Sequence, residues 1–313
     1  MLSNICRIQA RSLSLSTMNR IKHVTVIGGG LMGSGIAQVA ATTGHSVTLI
    51  DQKDELLAKS TAGIAKSLAR VAKKKFSDDP EGGKKFISDI MSRISTHTNP
   101  IPVMKDTDLV IEAIIENIGI KQKLFAELDA AAPQNVIFTS NTSSLPIKDI
   151  SATTKRQDRF GGLHFFNPVP MMKLLEVVKT DQTSDETFQS LLDFGKAMKK
   201  TTVKCKDTPG FIVNRLLVPY LMEATRLIER GDASPEDVDI AMKLGAGYPM
   251  GPFELSDYVG LDTCKFILDG WHEAYPDNEL FKPCEFLNKL VAEGKLGLNH
   301  PRSLIEVKKE KIE

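Results

Sequence analysis

The strand-like run Lys22-His-Val-Thr-Val-Ile27 stops on Gly28-Gly-Gly-Leu-Met-Gly33, and a stretch of small residues that reads as a helix follows. A G-x-G-x-x-G pattern at a first strand-to-helix turn constrains the fold more than any other feature of the chain. Gly28 permits the tight turn, Gly30 lets the backbone approach a pyrophosphate, and Gly33 allows close helix–strand packing. The helix N-terminus offers free N–H groups and the positive end of its dipole to phosphates. A second strand, His45-Ser-Val-Thr-Leu-Ile50, ends on Asp51, eighteen residues past Gly33. An acidic side chain there accepts hydrogen bonds from an adenosine ribose and repels a 2′-phosphate, which favours NAD over NADP. Lys53 softens that preference slightly. The competing reading is a purely structural glycine turn, and the strand, helix and acid around it argue against that.

The chain has 313 residues, enough for two domains with real cores. A net charge of +1 produces no global field toward nucleic acid. A hydrophobic content of 42% with 25% charged residues is that of an ordinary soluble globular protein. No apolar stretch is long enough to cross a bilayer, so no transmembrane segment is expected. Cys6, Cys205, Cys264 and Cys284 form no C-x-x-C pair and no metal-like cluster with the histidines. They read as spectator thiols in a reducing compartment, with no metal site. The first acidic side chain of the whole chain is Asp51. Before the first strand lie Arg7, Arg11 and Arg20, interleaved with Ser3, Ser12, Ser14 and Ser16. Basic, Ser-rich and acid-free is the composition of a mitochondrial transit peptide, expected here over residues 1–17 and addressing the chain to the matrix. An N-terminal arm with no address is the alternative.

From about Asp54 to Phe76, Leu56, Leu57, Ile64, Leu68 and Val71 recur at helical spacing, and a second helical piece runs from Gly82 to Met91. The first carries Lys59, Lys66, Arg70, Lys73, Lys74 and Lys75 with no acid between Glu55 and Asp78, and the second adds Lys84 and Lys85. Together they predict a helical hairpin, about residues 54–91, inserted into the nucleotide-binding fold. Its basic face suits an anionic substrate; a merely solvated face is the bland alternative. Strands are expected at Asp108–Ala113, Asn135–Thr139, Phe160–Phe165, Leu174–Val178 and Thr201–Cys205, with a helix around Lys121–Ala131. This alternation predicts an α/β fold, a Rossmann-like doubly wound sheet over residues 18–206. After Asp207-Thr-Pro-Gly210 helices dominate: Ile212 to Arg230, Ser234 to Leu244, Phe253 to Trp271 and about Glu285 to Glu293. Residues 207–313 are therefore expected to form an all-helical C-terminal domain, with the catalytic cleft between the domains. Ser234 should cap its helix, with Pro235 in the first turn.

Oxidising an alcohol with NAD needs a base for the hydroxyl proton while hydride leaves the adjacent carbon. Histidine suits that task, because its ordinary pKa lies near neutrality. His164 ends an apolar strand and precedes Phe165-Phe166-Asn167-Pro168, and strand ends are where such sheets bind ligands. Glu176, twelve residues on, interrupts the apolar run Lys173-Leu-Leu-Glu-Val-Val178. A carboxylate there is costly unless paired. A His164–Glu176 pair explains both placements, with the carboxylate orienting the imidazole and stabilising its protonated form. The alternative is a histidine hydrogen-bonded into the core. Ser140-Asn-Thr-Ser-Ser144 is a polar loop at another strand end. Ser143 or Ser144 could cap a helix before Leu145-Pro146, or the loop could hold the nicotinamide and a substrate oxygen.

These segments occur in an order that resembles the mitochondrial short-chain L-3-hydroxyacyl-CoA dehydrogenase family, from about Lys22 to Gly297. The carriers are Gly28–Gly33 with Asp51, Ser140–Ser144, His164-Phe-Phe-Asn-Pro168, Asp207-Thr-Pro-Gly-Phe-Ile-Val-Asn-Arg215 and Gly247-Tyr-Pro-Met-Gly-Pro-Phe253. The resemblance implies reversible, NAD-dependent oxidation of L-3-hydroxyacyl-CoA to 3-oxoacyl-CoA, the third step of fatty-acid β-oxidation. It implies that His164 is the catalytic base with Glu176 as its partner, and that Ser143 and Asn214 hold the substrate's reacting oxygen and nearby groups. It assigns Gly28, Gly29, Gly30, Leu31, Met32, Gly33, Asp51, Glu116, Lys121, Ser143 and Asn167 to the NAD site. Ser67 and Lys74 match CoA contacts, which agrees with the basic hairpin. A homodimer through the helical domain is implied as well.

One segment departs from the family pattern. Gly294-Lys-Leu-Gly297 is followed by Leu298-Asn-His-Pro-Arg302, so Asn299 replaces a lysine expected to reach the cofactor, and a Gly-Phe-Tyr ending is missing. Two other readings follow. The chain could be a related NAD-dependent hydroxyacid dehydrogenase, which the Lys-rich hairpin disfavours. It could also be a catalytically weak NAD-binding paralogue with a regulatory or interaction role, which intact His164, Glu176, Ser143 and Asn214 disfavour.

Overall fold

The computed structural model describes residues 21–296. The expected transit segment, Cys6 and the departing tail with Asn299 lie outside the described residues. The chain divides into two compact units, one up to Phe211 and one from Ile212.

The first unit is built on one eight-stranded sheet. Its strands are β1 (His23–Ile27), β2 (Ser46–Ile50), β3 (Ile94–His97), β4 (Leu109–Glu112), β5 (Ile137–Ser140), β6 (Phe160–Phe165), β7 (Leu174–Lys179) and β8 (Thr201–Lys206). They lie in the order β3-β2-β1-β4-β5-β6-β7-β8. The chain winds outward from β1 to β3 and returns to β4, so the topological switch point falls between β1 and β4. All neighbours are parallel except β6 and β7, which run antiparallel. Successive side chains on a strand face opposite ways. Val26 and Ile111 accordingly join one core, and Ile27 and Val110 the other. Helices cover both faces. On the first lie α1 (Leu31–Thr42), α2 (Asp54–Lys75), α3 (Pro80–Met91) and α6 (Asp185–Ala197); on the second lie α4 (Ile118–Ala131) and α5 (Ile147–Ser151). Covering both faces is why β4 and β5 are buried end to end.

The hairpin of α2 and α3 forms the crossover from β2 to β3. Asp54 and Glu55 open α2 and Lys73, Lys74 and Lys75 close it, which matches the helix dipole at both ends. Asp79 caps α3, accepting from the Gly82 amide at 2.9 Å, with Pro80 in the first turn. The Phe76 and Phe86 rings meet at 5.5 Å with the Lys75 ammonium over both, which pins the hairpin. Its buried stripe differs from the expected one: Leu57, Ser60, Ile64, Leu68 and Ala72 are buried, whereas Leu56 and Val71 are exposed. Two attachments turn the helix that way, a hydrogen bond from Ser60 to the glycine loop and α3 packed over Ala72. Two elements have no counterpart in the sequence reading. Edge strand β3 exposes three of its four residues and so lacks an apolar period. Helix α6 carries a good signal, a Ser184 cap accepting from the Thr187 amide at 3.1 Å.

The second unit contains α7 (Val213–Glu229), α8 (Pro235–Gly245), α9 (Pro252–Val259), α10 (Leu261–Ala274) and α11 (Glu285–Ala292). Its own core gathers Val218, Leu221, Met222, Phe253, Leu268, Trp271, Phe281 and Leu290. Ser234 caps α8, accepting from the Asp237 amide at 3.1 Å. The single helix expected over 253–271 is two helices. Gly260, at φ +100°, breaks it in a backbone conformation that a residue with a Cβ rarely adopts. Buried Asp239 caps α9 across the unit, accepting from the Phe253 and Glu254 amides at 2.9 and 3.1 Å. Cys205, Cys264 and Cys284 are buried free thiols, pushed up to about 12, 12 and 11 mainly by burial, so they stay protonated. Among the described residues no helix is long and apolar enough to cross a membrane.

Candidate active site

The glycine loop sits at the switch point and leaves room for a phosphate. Gly28, at φ +107°, lies so close to β4 that a Cβ would fall 2.4 Å from the Ala113 carbonyl oxygen. A Cβ on Gly33 would fall 1.7 Å from the Gly28 carbonyl oxygen, so α1 can pack on the loop only without a side chain there. Gly30 is the opposite case: nothing lies within 4 Å of its Cβ position. It opens α1, whose first turn has no side-chain cap and no acid. Its amides therefore point at an open cradle that suits an anion. Asp51, just past β2, accepts from the Gly29 amide at 2.7 Å, and Ser60 and Ser34 donate to the Gly29 carbonyl at 2.6 and 2.7 Å. Leu31 is exposed and Met32 half-buried at the helix entrance.

The reversal between β6 and β7 places His164 directly opposite Glu176. Imidazole Nδ1 lies 2.7 Å from carboxylate Oε2, with both side chains buried. Nδ1–H donates to the carboxylate, which leaves Nε2 of the neutral ring as an acceptor. Nε2 lies 3.1 Å from the Ser143 hydroxyl. Phe166 and Phe211 pack against the imidazole with centroids at 4.6 and 5.5 Å. Behind the pair, the Glu176 charge adds to burial in holding the Cys205 thiol protonated.

A second buried network fixes Ser143. Glu116 accepts from the Thr142 hydroxyl, from the Ser143 and Ser144 amides at 3.1 and 3.3 Å, and from the Ser144 hydroxyl at 3.1 Å. Lys121 bridges Glu116 at 3.0 Å and Glu112 at 2.6 Å. Burial pushes the Glu116 carboxyl up, but the Lys121 charge and these hydrogen bonds outweigh it and hold it below the usual carboxylate range. The Thr142 and Ser144 hydroxyls thus go to Glu116, the Ser143 hydroxyl meets His164, and the Ser140 hydroxyl donates to Glu112 at 2.5 Å. The helix-cap reading of Ser143 or Ser144 is overturned, because Asp207 caps α5, accepting from the Ile147 and Lys148 amides at 2.9 and 2.8 Å. Asn141 ties the loop to β6 by accepting from the Phe165 amide at 2.9 Å.

Asn167 is exposed just past β6. Ser67, half-buried, and Lys74, exposed, lie two turns apart on α2, about 10 Å along its axis. Asn214 is the second residue of α7, in the other unit.

Comparison with known proteins decides the family. Residues 23–208 match the model described as 3-hydroxyacyl-CoA dehydrogenase, NAD binding domain, and residues 210–306 match its C-terminal domain. The chain belongs to the 3-hydroxyacyl-CoA dehydrogenase family. It is 65% identical over 277 residues to the mitochondrial hydroxyacyl-coenzyme A dehydrogenase of Homo sapiens, covering 88% of each chain. Among solved structures, it superposes on (S)-3-hydroxybutyryl-CoA dehydrogenase PaaH1 from Ralstonia eutropha with a TM-score of 0.85 at 38% identity, covering 90% of this chain and 98% of that one. FadB2 of M. tuberculosis gives the same TM-score and identity, covering 91% and 98%.

In this 3-hydroxyacyl-CoA dehydrogenase the first unit is an NAD-binding domain. The open cradle at Gly30 and the acid past β2 fit that cofactor. Several residues that hold the glycine loop and the Ser143 loop in place escaped sequence reasoning. Glu112 had the same signal as Glu176, a carboxylate inside the apolar strand run Asp108-Leu-Val-Ile-Glu-Ala113. Asn141 and Thr142 sat inside a loop already marked as polar. Ser60 had no signal, because a serine on a helix says nothing about a carbonyl thirty-one residues away.

Proposed function

We propose that the chain oxidises L-3-hydroxyacyl-CoA to 3-oxoacyl-CoA with NAD in fatty-acid β-oxidation, with His164 as the general base. The supporting observation is the buried His164–Glu176 pair, whose Nε2 meets the Ser143 hydroxyl at 3.1 Å. Nε2 takes the substrate's hydroxyl proton as the C3–H bond breaks, and the Glu176 carboxylate stabilises the imidazolium that forms. NAD, when bound, accepts the hydride. Ser143 positions the reacting oxygen and leaves the developing carbonyl with a hydrogen-bond donor. Asn214 shares that task by its match to the family motif. Gly28, Gly29, Gly30, Leu31, Met32, Gly33, Asp51, Glu116, Lys121 and Asn167 line the NAD site, and Ser67 and Lys74 meet the CoA moiety.

Two further parts of the reading concern setting. The acid-free, Arg- and Ser-bearing N-terminus and relatives named as mitochondrial support a matrix location. Leu216, Leu244 and Phe266, each more than half exposed on helices of the second unit, support a homodimer through that unit. The deciding assay is NADH oxidation with acetoacetyl-CoA. His164→Ala should lose about two to four orders of magnitude in rate while still binding NADH. Equal rates in both proteins would refute the base.

A further inference from the structure

The stretch Asp207-Thr-Pro-Gly-Phe211 follows β8 and is pinned at its start from two sides. The Asp207 amide donates to the Lys179 carbonyl at the end of β7 at 3.2 Å, and its carboxylate accepts from the two amides that open α5. Beyond it Thr208-Pro-Gly-Phe211 closes a turn, with the Phe211 amide donating to the Thr208 carbonyl at 2.9 Å. Pro209 in second place and Gly210 at φ +73° in third are the pattern of a type II turn. The turn ends there, yet Phe211 itself has φ +51°. A bulky side chain at positive φ is strained, and the conformation persists only where its surroundings impose it. Lys199, the other described residue with a Cβ and positive φ, is exposed just past α6. Phe211 is only 5% exposed. Its ring packs on the His164 imidazole with centroids at 5.5 Å and planes inclined by 56°, and Phe166 packs on the same imidazole at 4.6 Å and 55°.

The imidazole needs such support. Its bond to Glu176 holds one edge of the ring, at Nδ1. A hydrogen bond tolerates about 30° of bending, and a swing of that size about Nδ1 carries Nε2 by about 1 Å. Nε2 stands 3.1 Å from the Ser143 hydroxyl, so a displacement of that size decides whether the base meets the reacting oxygen. We propose that Phe211 is a positioning residue for the general base: its ring, set by the pinned turn and working with Phe166, stops the imidazole from swinging and keeps Nε2 toward Ser143. The role rests on His164 being the base of the dehydrogenase reading above. Phe211 takes no part in proton transfer and acts through His164. The positive φ is what presents the ring. With the turn fixed upstream, an ordinary negative φ would redirect the Cα–Cβ bond and carry the ring off the imidazole.

The test is steady-state kinetics of the full chain with NADH and acetoacetyl-CoA, arranged as a double-mutant cycle. Phe211→Leu keeps an apolar side chain and removes the flat ring. We expect kcat to fall about ten- to hundredfold, with KM for NADH and for acetoacetyl-CoA within about twofold of wild type. In a His164→Ala background the same Phe211→Leu change should cost less than about twofold, because no imidazole is left to position. If Phe211→Leu fails to fold, Phe211→Gly replaces it in both backgrounds with the same expectation, since glycine adopts a positive φ without strain. An unchanged kcat, a loss carried by KM alone, or an equal loss with and without His164 would overturn the role of Phe211 and leave the dehydrogenase reading standing. A wild-type chain without turnover, or His164→Ala with wild-type kcat, would refute that reading or its base instead.

Discussion

His164 and Glu176 are cross-strand partners: Nδ1 and Oε2 meet at 2.7 Å because β6 and β7 run antiparallel and pair these two residues in register. In a buried sheet the imidazole and the carboxylate satisfy each other's polar atoms, where either alone would be costly. Glu176→Gln keeps the shape but removes the charge that stabilises the imidazolium. We expect kcat with acetoacetyl-CoA to fall about 10²–10⁴-fold with little change in KM for NADH. Steady-state kinetics check this, and a kcat within threefold of wild type would remove Glu176 from the mechanism.

The two glycines Gly30 and Gly33 should respond to alanine in opposite ways. Gly30 has φ −62° and open space around its Cβ position, so Gly30→Ala should leave thermal stability unchanged while weakening NAD binding. In Gly33→Ala the new methyl meets backbone at 1.7 Å, and a loss of about 1–3 kcal/mol in stability is expected. Melting curves and NAD titration of both variants separate the roles.

Glu116 links the site to acid stability. Its carboxyl is held below the usual carboxylate range in the folded chain despite the opposing push of burial, so ionised Glu116 stabilises the fold at neutral pH. The contribution disappears as pH falls through the lowered folded value. Glu116→Gln should therefore cost about 2 kcal/mol at pH 7, and the gap to wild type should close on acidification. Urea denaturation from pH 7 to pH 3 measures the gap; a constant difference across that range would contradict the assignment.

Lys74 is exposed near the C-terminal end of α2 on a helix crowded with lysines. Lys74→Glu replaces an attraction for CoA phosphates by a repulsion. We expect the KM for acyl-CoA to rise about three- to tenfold with the KM for NADH unchanged. An unchanged acyl-CoA KM would return this face to solvent.

Local signals in the sequence determined a good deal. The strand–glycine–helix start, the Ser234 cap and the helical period of α2 each depend on residues close to one another in the chain. The buried carboxylates also announced themselves, because an acid inside an apolar strand must have a partner. Glu176 was legible on that ground, and Glu112 would have been.

Tertiary structure decided how those partners meet. The reversal of β7 has no local signature, yet it sets the register that puts Glu176 against His164. Lys121 on α4 reaches Glu112 at the end of β4, Ser143 is brought to Nε2 by a loop from another strand, and Asp207 rather than a serine caps α5. These contacts join residues nine to sixty positions apart in the chain. Hydrogen-bond donors and acceptors have short reach, so only the pairing order of the sheet determines which ones meet.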